Sequence, residues 1–75
     1  MNNGIKKKLE ELIGKEVDLQ YSYSGIIVDF PSTPNMGGVV KYKVLRIEDD
    51  CVVMEDKKDE RYISLGHIST VIIKK

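Results

Sequence analysis

The sequence predicts an all-β fold, a small and strongly bent five-stranded barrel behind a short N-terminal α-helix. Three observations predict it. Apolar residues recur at helical spacing only near the N-terminus and with a period of two beyond Lys15. The apolar parity switches within the strand around Val44, as it does where a bulge bends a strand enough to close a small sheet. Seventy-five residues leave room for one thin core and no second domain. The expected organisation is a helix over residues 1–14 packed on a barrel formed by residues 15–75.

Ile5, Leu9, Leu12 and Ile13 fall at i, i+4, i+7 and i+8 and make one apolar stripe, with Lys6, Lys7, Glu10 and Glu11 largely outside it. Asn3 can cap the start, and Gly14 can take the left-handed position after the end. A helix of two to three turns does not hold itself together in water, so Leu9, Leu12 and Ile13 are expected to bury on the barrel.

Val17, Leu19, Tyr21 and Tyr23 then alternate with Glu16, Asp18, Gln20 and Ser22, which describes a half-buried strand. Ser24-Gly25 interrupts it, and Ile26 to Phe30 is either a separate strand or the continuation of the first beyond a bulge. Pro31, Pro34, Asn35, Gly37 and Gly38 write a loop, because proline lacks a ladder donor and glycine tolerates positive φ. Val40, Tyr42 and Val44 share one face while Leu45 and Ile47 carry the pattern on the other, so a β-bulge is expected near Val44. Asp49-Asp50 is a tight-turn candidate, Asp56 to Glu60 a charged turn, and Gly66-His67 a break before the last strand. In that strand Ile68, Thr70 and Ile72 point one way and Val71 and Ile73 the other, so both faces are apolar or nearly so and a second subunit is expected to cover one.

Twelve basic residues cancel twelve acidic ones, which removes the simplest electrostatic reason for a nucleic-acid or anionic-membrane partner. The cancellation is uneven. Lys6, Lys7, Lys8 and Lys15 outnumber Glu10 and Glu11 at the front, and Lys74 and Lys75 make the tail basic, while Arg46 to Glu60 is acidic. No apolar stretch is long enough to span a bilayer and none near the N-terminus resembles a cleavable leader, so a cytoplasmic location is expected. One cysteine and one histidine make neither an internal disulfide nor a four-ligand zinc site, and no metal or cofactor is expected. With the two usual supports of a small core missing, self-association becomes the expected third.

No catalytic group stands out. His67 has no visible partner set, and Cys51 follows two aspartates whose charge raises rather than lowers a thiol pKa. Asp49, Asp50, Asp56 and Glu60 lack any cation-binding spacing, and Gly37-Gly38 precedes no Lys-Ser or Lys-Thr pair. A non-enzymatic binding domain is the expectation. Tyr21, Tyr23, Tyr42 and Tyr62 could stack on unpaired bases, although alternation with polar residues also suits Tyr21 and Tyr42 to core or rim packing.

The stretches "LEELIGKEVDL" and "ERYISLGHISTVII" resemble the Sm-like small-barrel family, the second stretch being similar to the end of the bacterial Hfq-like RNA chaperones. PRC-type and SH3-like barrels share the size and the "GKEV" opening. In Hfq-like proteins a tyrosine-lysine-histidine group precedes an alanine; here Ser64, Leu65 and Gly66 hold those places and His67 stands in the alanine's. The family's pocket aspartate would correspond to Glu48 or Asp49. The resemblance implies an oligomeric, non-catalytic module for single-stranded RNA, assembled as a ring of six or seven or as a dimer. Candidate RNA contacts are Tyr23, Lys41, Lys43, Tyr62 and His67, and candidate subunit contacts are Ile68, Val71 and Ile73. The alternative is a protein-interaction or scaffold module that uses exposed strand edges and the Phe30–Met36 loop.

Overall fold

A computed structural model describes residues 3–32 and 41–74. The side-chain cap expected of Asn3, the face expected of Val40 and the loop beyond Ser32 lie outside the described residues. Helix α1 (Asn3–Glu11) is followed by strands β1 (Glu16–Ser22), β2 (Gly25–Phe30), β3 (Tyr42–Glu48), β4 (Cys51–Asp56) and β5 (Asp59–Ser64), a 3₁₀ turn η1 (Leu65–His67) and strand β6 (Ile68–Ile73).

The all-β expectation holds, but the closed five-stranded barrel does not. Six strands form one open sheet in the order β5-β4-β3-β1-β2-β6, antiparallel throughout except where β6 runs parallel to β2. The extra strand arises at Ser24-Gly25, which is a chain reversal and not a bulge: Ser22 pairs with Gly25 across a two-residue tip. The sheet nevertheless curls. Its two end strands, β5 and β6, are joined by the three residues of η1, which bring opposite ends of the strand order together at that corner.

Bulges decide which side chains enter the core. In β3 the register shifts between Val44 and Arg46, leaving Leu45 as the extra residue, so Val44 faces Met54 and Ile47 faces Val52 on one side of the sheet. This is the bulge expected from the parity switch. A second shift, between Ile26 and Ile27 on β2, pairs Ile26 with Ile68 and Ile27 with Thr70, so Ser69 is extra in β6. It puts Ile68, Val71 and Ile73 on the core side together and turns Thr70 and Ile72 outward. The sequence-based assignment of Val71 and Ile73 to a second apolar face is corrected here: one inserted residue exchanges the two faces.

The core joins Leu9 of α1 and Leu12, just past the helix end, with Val17, Val28, Val44, Val52, Met54, Leu65 and Ile68. The apolar stripe of α1 lies against β3 and β6, as its spacing requires. Ile13 departs from expectation. It is 44% exposed because the helix has ended before it; Ile13 N–H bonds to Glu10 O, and Gly14, at φ 87°, turns the chain so that its own N–H reaches Val44 O at 2.7 Å. Asp49, at φ 50°, forms the tight turn between Glu48 and Cys51.

Candidate recognition site

The β1–β2 hairpin ends in the two-residue tip Tyr23-Ser24. Ser22 Oγ donates to Gly25 O at 2.9 Å and lies 3.3 Å from Ser24 Oγ, so the hydroxyls brace the reversal. Gly25 has φ 132°, and a Cβ there would stand 2.5 Å from the carbonyl oxygen of His67. Only glycine allows the tip to approach η1 that closely. On the other side of the contact, Ser64 caps η1 by accepting from Gly66 N–H at 3.2 Å, which sets His67 against the hairpin.

Between tip and turn lies a recess of about 410 Å³ whose lining includes Tyr21, Tyr23, Ser24, Ile26, Gly66 and His67. Tyr21 is 74% exposed and Tyr23 fully so, and His67 is exposed beside them. Among the described residues no lysine, arginine or carboxylate lines the recess. Chemically it offers aromatic faces, serine hydroxyls and one imidazole, a set suited to planar or extended uncharged groups.

Of the five candidate RNA contacts, Tyr23 and His67 meet here. Lys43 is exposed on β3, opposite Glu16 on one side and Glu55 on the other, and half-buried Lys41 immediately precedes β3; neither lines the recess. Tyr62 belongs to a different group on β3–β4–β5. Arg46 Nη2 donates to Tyr62 Oη at 3.1 Å and to Glu60 Oε1 at 3.4 Å, and its Nε donates to Glu48. By register this arch crosses Val53, which is wholly buried. Ile68 is in the core, and Val71 and Ile73 pack half-buried against it.

Tyr21, for which both base stacking and core or rim packing were open, is exposed and lines the recess, because β1 runs past the edge of the core after Leu19. Reasoning from sequence also missed Asp18 and Asp29, which are both buried and sit opposite one another in the β1–β2 ladder. Gln20 Nε2 donates to Asp29 Oδ2 at 2.8 Å, and Lys74 Nζ is 3.8 Å from Asp29 Oδ1. The aspartate inside the apolar run Ile26 to Phe30 is the one signal that could have marked it.

The acidic residues considered for a cation are dispersed. Asp56 is held by Arg61 and Glu60 by Arg46, while Asp49 and Asp50 form a turn of their own. Among the described residues no group of three or more histidine, cysteine or acidic side chains could hold a metal ion, and no helix is long and apolar enough to cross a membrane. Burial pushes the Cys51 thiol up, and Glu48, Asp50 and Asp49 push it further.

Comparison with protein-family models, with curated proteins and with solved structures finds no match.

Proposed function

We propose that this domain is a non-catalytic, self-associating module of Sm-like type that holds single-stranded RNA in the cytoplasm, with bases stacked on Tyr21 and Tyr23 beside His67. One observation carries the reading: the recess brings together two exposed tyrosine rings and the only histidine from segments more than forty positions apart. An exposed ring adds little to a core, whereas a base stacked on an aromatic side chain contributes about 1–3 kcal/mol and needs no particular sequence. The helix, the bulged β3 and the η1 turn before β6 support the Sm-like relationship.

The neutral lining changes what the binding should look like. Grip by stacking releases few counterions, so affinity should fall only shallowly with salt. Fluorescence anisotropy with uridine-rich and adenine-rich oligonucleotides at two salt concentrations tests this. Tyr23→Ala should weaken binding roughly 5- to 150-fold, the equivalent of one lost stack, while Lys43→Glu should leave it nearly unchanged. A steep salt dependence with loss on Lys43→Glu would place the RNA elsewhere.

A second reading, a protein-interaction module, is favoured by one specific observation: tyrosine, serine and glycine dominate the lining, the composition of adaptable polar protein contacts. Absence of binding to either oligonucleotide at high protein concentration would leave this reading in front.

A further inference from the structure

The two end strands of the sheet treat their outer edges differently. β5 carries Asp59, Glu60 and Arg61, charges of the kind that deter pairing with another chain. β6 carries no charge and no proline from Ile68 to Ile73, and its one irregularity, at Ser69, leaves Thr70 to Ile73 regular. Lys74 N–H bonds to Phe30 O at 2.8 Å. Along a parallel ladder the backbone groups of successive residues alternate in direction, so Thr70, Ile72 and Lys74 aim theirs at β2 while Val71 and Ile73 aim theirs at the outer edge. Among the described residues no strand pairs with that edge. Ile72, 39% exposed, is the outward apolar side chain of the strand.

We infer that β6 docks a second copy of this chain, strand against antiparallel strand, about a two-fold axis at Ile72. The register is self-complementary. Val71 meets the partner's Ile73 and the reverse, so each outward N–H and C=O group of both residues finds one partner across the axis. The two Ile72 side chains meet in a non-hydrogen-bonded pair, with Cβ atoms about 4.5–5.5 Å apart. Thr70 falls opposite the partner's Lys74, so no like charges face each other. Val71 and Ile73 thus take part through their backbones while their side chains stay in their own core. Pairing β6 with β5 would instead lay Asp59, Glu60 and Arg61 along an uncharged strand. This inference rests on the self-association in the proposed function and adds its geometry.

Analytical ultracentrifugation over a wide concentration range, with cysteine cross-linking, tests it. The native chain should dimerise, and Ile72→Lys should stay monomeric at every concentration while keeping the native circular dichroism. In a Cys51→Ser background, Ile72→Cys treated with oxidised glutathione should give a disulfide-linked dimer, and Thr70→Cys should not. The cross-link decides the matter if the lysine variant fails to fold. A native chain that stays monomeric overturns both this geometry and self-association. A larger assembly that survives Ile72→Lys, or a dimer in which Ile72→Cys does not cross-link, overturns the β6 pairing while self-association stands.

Discussion

The two hairpins β1–β2 and β4–β5 each reverse through two residues, yet they are held by opposite means. At the β4–β5 tip, Lys57-Lys58 is flanked by Asp56, which is buried and accepts from Arg61 Nε at 2.6 Å and from Asp59 N–H at 3.3 Å. That tip is locked by the Asp56–Arg61 pair, and the two lysines at its end are exposed. At the β1–β2 tip the lock is the backbone, Gly25 against His67 O, with serine hydroxyls bracing the reversal. The aromatic side chains are left over, and Tyr21 and Tyr23 face solvent beside His67. The turn held by backbone packing thus presents aromatic side chains to a ligand, and the turn held by an ion pair presents only charged ones.

The largest effect is expected from loosening what both hairpins share. α1 touches β3 and β6, and Leu12 is buried beneath it, so Leu12→Ala should cost about 2–5 kcal/mol. Denaturant unfolding followed by tyrosine fluorescence and by circular dichroism should move together. Separate transitions would show that the hairpins belong to different cooperative units.

Gly25→Ala acts on one hairpin alone. The new Cβ meets the His67 carbonyl oxygen, and φ 132° is strained for any side chain, so the variant should lose about 1–3 kcal/mol and, because the tip must leave η1, its oligonucleotide affinity as well. A variant that keeps full stability and binding would separate the recess from the tip contact.

The smallest effect is expected at Asp56→Asn. The hydrogen bond from Arg61 holds the Asp56 carboxyl below its ordinary value, helped by the Asp59 backbone. A depressed carboxylate contributes stability that is present above its unfolded pKa and lost as pH falls through the folded one. Asp56→Asn should therefore melt below the native chain near neutral pH and coincide with it in strong acid, with oligonucleotide binding unchanged. A melting-temperature difference that stays constant across the acid range would refute the charge lock.

The bulge at Val44 was legible because Val44 and Ile47 are both apolar and on opposite parity, a pattern that regular β geometry does not allow on one face. The same logic was available at Ile68 and Val71 and points to the bulge at Ser69. There an apolar second face offered a rival explanation, and nothing local distinguishes a covered face from an inserted residue. His67 and Tyr23 were both singled out from sequence, but their meeting was not legible, since the approach of His67 to Gly25 spans forty-two positions of chain.

Local sequence was enough for the amphipathic helix, the turn at Asp49-Asp50, a charged turn within Asp56–Glu60 whose tip is Lys57-Lys58, the break at Gly66-His67, and the absence of charge from β6. These are properties of consecutive residues, set by backbone sterics and by the spacing of apolar side chains. Long-range packing set the rest: that six strands form an open sheet, that Val71 and Ile73 turn inward, that Asp18 and Asp29 are buried side by side, and that Tyr21, Tyr23 and His67 share a recess while Tyr62 is tied to Arg46. Each of these depends on which distant strand becomes a neighbour and in what register. That choice minimises the exposed apolar surface and unsatisfied backbone of the whole chain at once, so no short window of sequence contains it.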